Sequence, residues 1–251
     1  MRPVTLITGA SAGLGVDFAR QLGARGHTLV LAARRIDRLR ALAAELGNAR
    51  PVAIDLSEPR AAERLLADLA VHGEHVDWLV NNAGFGLTGR VAEQDGARLR
   101  QMIDLNCGAL TELAHAVLPG MIERRGGAIL NVASTAAFQP GPGMAVYFAT
   151  KAFVLSFTEA LHEEVRPHGI KVSALCPGPT RTEFGDVAGF RGNGLSERLS
   201  ADSASVVKAG IEGLEKNRAV VIPGAANKLG AQGHRLLPRG ALRRIAGSIK
   251  L

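Results

Sequence analysis

The stretch VTLITGASAGLG, residues 4–15, decides the fold. Its first four residues form an apolar run typical of a short buried strand, and a helical pattern follows the glycines to about residue 25. A helix that begins at such a turn offers free N–H groups and a positive dipole end to a phosphate. Gly9 suits the tight turn, whereas Gly13 and Gly15 allow close backbone approach. The spacing GxxxGxG differs from the common GxGxxG, so a plain strand–helix turn remains the alternative.

The rest of the chain repeats this alternation of strand and helix. Further strand-like runs occupy residues 28–33, 51–54, 77–80, 127–133, 170–176 and 219–222, with helical patterns between them. The sequence therefore predicts an α/β fold: a Rossmann-type, doubly wound sheet of about seven parallel strands flanked by helices, in a single dinucleotide-binding domain of residues 1–223. Ligands bind such sheets at the carboxyl ends of the strands.

Charge is unevenly distributed along the 251 residues. Of the 30 basic residues, eight lie from Lys216 onward, where no acidic residue occurs, so 22 basic residues face 23 acidic ones in the first 215. No zinc spacing or interleaved aromatic pattern indicates nucleic-acid binding or a metal site. Cys107 and Cys176 are not spaced like a redox pair. The sequence also shows no leader and no apolar run long enough to span a membrane, so we expect a cytoplasmic protein.

Tyr147 and Lys151 are the first candidates for chemistry. Four residues apart on a helix, they share one face, and Tyr147 is the only tyrosine. A neighbouring ammonium is expected to lower the phenol pKa from about 10, which would suit a general acid or base. Ser134, at the end of a predicted strand, could hold a carbonyl oxygen nearby. A YxxxK pair alone is weak evidence, because ordinary helix surfaces carry it too.

Polar and small residues follow the other predicted strands. Arg34 lies 19 positions after Gly15, where arginine accommodates a 2′-phosphate and an acidic residue would bind a ribose hydroxyl, so NADP is favoured over NAD. A solvent-exposed arginine is the alternative. Asp55 could accept from an adenine amino group or cap a helix. Asn106, between two predicted helices, is most simply a cap or a kink. Residues 183–200 are weakly patterned and predict a substrate lid or a surface loop.

These residues together resemble the classical short-chain dehydrogenase/reductase family. The matching motifs are Thr8–Gly15 with three glycines, Asp55, NNAG at 81–84, Asn106, Ser134, Tyr147-x-x-x-Lys151 and Pro177-Gly178 with Thr182, and they cover residues 1 to about 222. The resemblance implies that Tyr147 is the general acid/base, Lys151 lowers its pKa and binds the nicotinamide ribose, Ser134 positions the substrate oxygen, and Asn106 holds a water linked to Lys151. The expected cofactor contacts are Gly9, Ser11, Gly13, Leu14, Gly15, Arg34, Arg35, Asp55, Leu56, Asn82, Ala83, Gly84, Tyr147, Lys151, Pro177, Gly178, Thr180 and Thr182.

The implied activity is hydride transfer between NADP(H) and a carbonyl or secondary alcohol. The alternative is a non-catalytic protein that binds NADP as a structural or regulatory ligand. Ala12 stands where many NADP-using members carry a basic residue, so the preference depends chiefly on Arg34, with Arg35 assisting. The family also implies a homodimer or homotetramer. An apolar substrate is expected from the aromatic and methionine residues near the predicted site: Phe138, Met144, Phe148, Phe184 and Phe190. Each of these could equally belong to the core.

Residues 224–251 form a basic C-terminal extension. Leu242, Ile245 and Ile249 recur at helical spacing with basic residues between them. Three interpretations compete: packing on its own or a neighbouring subunit, a disordered basic tail, and, least favoured, peripheral contact with an anionic membrane.

Overall fold

One parallel sheet organises the computed structural model, which describes residues 1–189, 200–233 and 238–248. Seven strands lie in the order β3-β2-β1-β4-β5-β6-β7, and every neighbouring pair is parallel. Their bounds are β1 Arg2–Thr8, β2 Leu29–Ala33, β3 Ala49–Ala53, β4 Glu74–Asn81, β5 Ala128–Val132, β6 Lys171–Leu175 and β7 Val220–Val221. The predicted doubly wound, seven-stranded fold is confirmed. The strand order reverses between β1 and β4, which places a ligand crevice there.

Helices cover both faces of the sheet. They are α1 Leu14–Ala24, α2 Ile36–Leu46, α3 Ala61–Val71, α4 Gly96–Ile103, α5 Leu110–Arg124, α6 Ala145–Val165, α7 Phe184–Ala188, α8 Ser203–Glu215, α9 Ala225–Gly233 and α10 Arg239–Ser248. Successive side chains of β1 point to opposite faces, so Leu6 packs with α3, α5 and α6, whereas Ile7 packs with α1, α2 and α8. This two-sided burial explains why the strands read as continuous apolar runs.

Three local predictions differ from the structure. Asn106 does not separate two helices: α4 continues through a π-helical turn, Asp104–Ala109, into α5. Part of the region predicted to be weakly structured forms α7, and the remainder of 183–200, from residue 190 to 199, lies outside the described residues. The seventh strand is only two residues long, because β7 pairs with β6 over just two positions at the edge of the sheet.

An ion-pair network fastens the amino-terminal ends of three strands. The carboxylate of Glu74, only 1% exposed, accepts hydrogen bonds from Arg2 and Arg50, each at 2.6 Å. Arg50 also reaches Asp68 on α3 at 2.7 Å. Burial alone would raise the pKa of Glu74, but the bonds from Arg50 and Arg2 outweigh it and the net pKa is lowered. This network lies opposite the ligand edge and is structural.

The C-terminal extension folds back on the domain. Ala231 of α9 and Ala246 of α10 are buried, and α9 contacts the 3-10 turn Thr135–Phe138. The side chain of Asn227 packs so closely on Gly178 that no Cβ would fit there. Leu242 is half-buried and Ile245 is half-exposed, and Ile249 lies outside the described residues. Within those residues no helix has the length and hydropathy to cross a membrane.

Candidate active site

Thr8 and Asn82 fix the glycine-rich turn to the end of β4. The Thr8 hydroxyl oxygen accepts from the backbone N–H groups of Asn82 and Ala83, each at 3.0 Å. In return, Nδ2 of Asn82 donates to the carbonyl oxygens of Thr8 at 2.9 Å and Gly9 at 3.2 Å. Thus Asn82 positions the loops around the crevice.

The three glycines of the turn are required by crowding and by backbone conformation. Gly9 has φ 65°, and a Cβ there would lie 2.8 Å from Cα of Ala83. A Cβ on Gly15 would collide with the carbonyl oxygen of Gly9. Gly13, at φ 53°, precedes α1 without any side-chain cap. The first turn of α1 therefore begins beside the crevice, with the N–H groups of Gly15 and Val16 bonded to the carbonyls of Ala12 and Gly13. The positive end of the helix dipole lies at the position that favours a phosphate.

A group of arginines lies beside this turn. Arg34 is 64% exposed, with Nη1 3.8 Å from Oδ2 of Asp55. Arg35 donates from Nε to the Ser11 hydroxyl at 3.2 Å and from Nη1 to Glu183 at 3.0 Å. Arg38 donates to the other oxygen of Glu183 at 2.6 Å. Hydrogen bonds from Arg38 and then Arg35 hold the pKa of Glu183 below its usual range.

Asp55 does not cap the next helix, since α3 begins at Ala61 after Arg60, and its contact with an adenine stays a prediction. Its Oδ1 accepts from the Ser57 backbone at 2.9 Å and the Ser57 hydroxyl at 2.6 Å, while Oδ2 faces Arg34. Burial raises its pKa, but the bonds from Ser57 and the charges of Arg34 and Arg98 give a net lowering. The side chain of Leu56 is buried in the core, which leaves only its backbone for a ligand.

Ser134, Tyr147 and Lys151 meet where β5 ends and α6 begins. The hydroxyl of Ser134 lies near the phenol of Tyr147, and Oγ of Ser134 accepts a hydrogen bond from the backbone N–H of Ala136 at 3.0 Å. Nζ of Lys151 lies 5.8 Å from the centroid of the Tyr147 ring and donates to the carbonyl oxygen of Val132 at 2.8 Å. Tyr147 is 8% exposed and Lys151 is 6% exposed.

The predicted lowering of the tyrosine pKa is wrong for this conformation. Burial raises the pKa of Tyr147 to about 12, and the nearby hydroxyl of Ser134 offsets only part of that effect. Burial likewise lowers the pKa of Lys151 to about 8. Desolvation dominates because the phenolate and the ammonium both lose their hydration when they are buried. In addition, Lys151 donates its hydrogen bond to the backbone carbonyl of Val132 and not to the phenol.

Asn106 is held by the protein itself. Its Oδ1 accepts from the Phe85 backbone at 3.1 Å, and Nδ2 donates to the Phe85 carbonyl and the Thr150 hydroxyl, each at 3.0 Å. Both amide hydrogens are therefore used, so the side chain of Asn106 could bind a water only through the second lone pair of Oδ1. Gly84 fits between these groups: a Cβ there would lie 3.0 Å from Oδ1 of Asn106 and 3.6 Å from Nζ of Lys151.

The segment between β6 and α7, residues 176–183, lies over the site. Thr180 donates to the carbonyl of Gly178 at 2.9 Å, and Pro177 accepts from the backbone of Thr135 at 2.8 Å. Thr182 lies against Gly13, where a Cβ would be 3.1 Å from Cβ of the threonine. Farther along, the rings of Phe184 and Tyr147 are 5.3 Å apart. This segment therefore contacts the glycine turn through Thr182, and the first residue of α7, Phe184, contacts the ring of Tyr147.

Not every predicted pocket residue joins this group. Met144, Phe148 and Phe184 pack around Tyr147 together with Phe85. Phe138 packs instead in a separate cluster behind α6, so it belongs to the core there, and Phe190 lies outside the described residues.

Four residues that sequence reasoning missed are Thr8 as an anchor, Arg38, Glu183 and Gly86. The signal for Arg38 was present, since it lies four positions after Arg34 at the start of a helix. A Cβ on Gly86 would meet Phe184, Met144 and Tyr147 at 2.9, 3.1 and 3.2 Å, which no sequence pattern indicates.

The site combines a glycine turn suited to phosphate, a group of arginines and a buried Tyr–Lys pair at one edge of the sheet. This combination defines a dinucleotide-dependent oxidoreductase. Comparison with known proteins agrees. The family described as short chain dehydrogenase matches residues 3–189. The NADP-dependent 3-hydroxy acid dehydrogenase YdfG of Salmonella typhi is 39% identical over 193 residues, covering 76% of this chain and 77% of the relative.

Solved structures are similar over an even larger part of the chain. A short-chain dehydrogenase from Sphingobium yanoikuyae in complex with NADPH is 35% identical, with a TM-score of 0.83, and 100% of this chain and 97% of that chain are covered. The closed form of a serine dehydrogenase complexed with NADP+ is 33% identical, with a TM-score of 0.78 and coverage of 87% and 93%. The chain belongs to the short-chain dehydrogenase family.

Proposed function

We propose that this short-chain dehydrogenase transfers a hydride between NADP(H) and an apolar carbonyl or secondary alcohol. The observation that carries the proposal is the buried phenol of Tyr147 with the Ser134 hydroxyl near it and Nζ of Lys151 5.8 Å from its ring centroid. The relatives named above act on 3-hydroxy acids and serine, or bind NADPH and NADP+. These names support the reaction class and the cofactor.

The protein residues supply proton transfer and positioning. Ser134 would hold the carbonyl oxygen and Tyr147 would deliver a proton to it. NADPH, when bound, would supply the hydride for the carbonyl carbon. A phenol with a pKa of about 12 is fully protonated at neutral pH, which suits a general acid in the reducing direction. Lys151, when protonated, stabilises the phenolate that remains, since the two charges are opposite. Asn106 keeps this helix in place through Thr150.

NADP(H) is the cofactor that the crevice fits. The glycine turn and the positive end of α1 would hold the pyrophosphate, and Arg34 and Arg35 follow β2, where a 2′-phosphate needs cations. The other predicted cofactor contacts lie along the same edge of the sheet, among them Asp55, Asn82 and Thr182. We assign them to the cofactor together with the glycine turn and the arginines.

The substrate pocket is proposed to be apolar. The side chains packed around Tyr147 are Phe85, Met144, Phe148 and Phe184. Burial of a ketone substituent against them would contribute about 25 cal/mol per Å² of apolar surface removed from water. We therefore favour carbonyl reduction of an apolar ketone or aldehyde.

A carbonyl panel tests this proposal. Wild-type protein is assayed with NADPH and with NADH on apolar ketones, aldehydes and 3-oxo acids, and the reverse direction with 3-hydroxy acids. We expect turnover with apolar carbonyls and a preference for NADPH. NADPH binding without turnover on any member would instead support the non-catalytic alternative.

Self-association is proposed through α5 and α6. Phe153 on α6 is 44% exposed and stacks on Phe157, with ring centroids 6.0 Å apart and planes within 5°. Ile122 on α5 is exposed as well. Burial of these side chains would stabilise a homodimer or homotetramer. Phe153→Glu should lower the mass measured by light scattering, whereas an unchanged mass would contradict this interface.

Location and membrane contact are inferred from the thiols and the tail. Cys107 and Cys176 are both free, as in a reducing cytoplasm. Because the described part of the tail buries Ala231 and Ala246 on the domain, we propose that it does not bind membranes. Full-length protein should stay in the supernatant after sedimentation with anionic vesicles, and cosedimentation would contradict this.

A further inference from the structure

Glu183 shares one carboxylate between two guanidinium groups. Oε1 accepts from Arg38 at 2.6 Å and Oε2 accepts from Arg35 at 3.0 Å. Arg35 also donates to the hydroxyl of Ser11 at 3.2 Å, and Ser11 lies within the glycine turn. A carboxylate from the segment after β6 thus neutralises two cations beside the crevice.

The same cations match the needs of a 2′-phosphate. Guanidinium groups bind phosphate through paired, charge-assisted hydrogen bonds. Arg35 follows β2, where dinucleotide folds place the group that reads the ribose 2′ position. Arg38 is three residues later on α2, and its bond to the same carboxylate shows that it faces the same point.

We propose, building on the NADP(H)-dependent function above, that Arg35 and Arg38 bind the 2′-phosphate and that Glu183 competes with it internally. NADP(H) binding exchanges the carboxylate for the phosphate, which carries more charge and more acceptor oxygens. NAD(H) has only a hydroxyl at that position and cannot make this exchange. Glu183 therefore lowers the affinity for NADP(H) alone and moderates the discrimination between the two cofactors.

The exchange also affects the tyrosine. Glu183 is followed directly by Phe184, whose ring packs on Tyr147. The other end of α7 is held by a hydrogen bond of 2.9 Å from the backbone N–H of Thr88 to the carbonyl oxygen of Ala188. Ion pairs as exposed as those of Glu183 are weak, so a phosphate can displace them. Displacement frees the segment that covers the catalytic phenol and couples cofactor binding to substrate access.

Calorimetric titration of the full chain with 2′,5′-ADP and with 5′-AMP tests the site without catalysis. Arg38→Gln should weaken 2′,5′-ADP binding roughly tenfold, because a charge-assisted hydrogen bond is lost. Glu183→Gln should tighten it about threefold, the size expected for release of an exposed ion pair. Neither variant should change the affinity for 5′-AMP. Arg40→Gln is the control on the same helix, since Arg40 pairs only weakly with Asp37 at 3.8 Å, and it should bind both probes like the wild type.

Hydrogen exchange provides the second measurement. Adding 2′,5′-ADP to the wild type should speed amide exchange across residues 183–188, and Glu183→Gln should exchange fast without the probe. Wild-type affinity for 2′,5′-ADP in both variants would overturn the proposal while leaving the oxidoreductase function intact. Equal affinities of the wild type for the two probes would instead show that the NADP preference itself is wrong.

Discussion

The ammonium of Lys151 donates a 2.8 Å hydrogen bond to the backbone carbonyl of Val132 and so fastens α6 to the end of β5. Lys151 is nearly as buried as the strand it contacts, and burial lowers its pKa to about 8. Below about pH 8 the buried Lys151 is charged and its desolvation opposes folding. Above that pH the folded protein holds the lysine in its neutral form.

Stability should therefore rise with pH because of Lys151. The folded pKa lies below the unfolded value of 10.5, so between about pH 8 and 10.5 the unfolded state binds more protons and stability increases with pH. In urea unfolding, the free energy of the wild type relative to Lys151→Met should rise by roughly 1–3 kcal/mol from pH 7.5 to 10. Lys208→Met, at an exposed site, should show no such trend. A difference that is flat with pH would contradict the buried-ammonium assignment.

Glu74 should stabilise the fold above acidic pH. Glu74→Gln removes the charge that pairs Arg2 with Arg50, and we expect a loss of roughly 3 kcal/mol in unfolding free energy at pH 7. Its folded pKa is lowered, so this advantage is present above the unfolded value of 4.5 and disappears as pH falls through the folded pKa. Glu45→Gln, which breaks an exposed pair with Arg20, is the matched control and should change stability little. Equal effects of the two variants would refute the special role of Glu74.

Gly86 should be needed for catalysis more than for folding. In Gly86→Ala the new methyl group would lie 2.9 Å from Phe184 and 3.2 Å from Tyr147, so one of the two rings must move. We expect kcat/KM to fall roughly tenfold or more, with NADPH affinity nearly unchanged. Gly96→Ala, at the start of α4 with open space around it, should keep wild-type kinetics. Similar kinetics for both variants would mean that the crowding around Gly86 has no effect on the tyrosine.

The sequence was sufficient where local chemistry decides the structure. The strand, glycine turn and helix of residues 4–25 could be predicted because turn and helix signals are local, and the strand alternation predicted the parallel sheet. The shared edge then placed Arg34, Ser134 and Thr180 on one side of the sheet, since all three follow strands.

Long-range packing could not be predicted. Glu183 and Arg38 are 145 positions apart, so their pairing required the folded chain. The pKa of Tyr147 depends on how deeply Phe184 and its neighbours bury it, and burial depth is not readable from a YxxxK pattern. Asn106 looked like a helix boundary because no sequence signal distinguishes a kink from a π-helical turn that continues the helix.

Isotope transfer tests the central claim most directly. NADPH carrying deuterium at the transferred position of nicotinamide C4 is incubated with the wild type and the best ketone of the panel, and the alcohol is analysed by mass spectrometry. We predict that one deuterium appears in the alcohol, and that Tyr147→Phe binds NADPH normally but forms product at least a hundredfold more slowly, roughly the contribution of a positioned general acid. Equal rates of labelled product from wild type and Tyr147→Phe would contradict the assignment of the phenol as the proton donor.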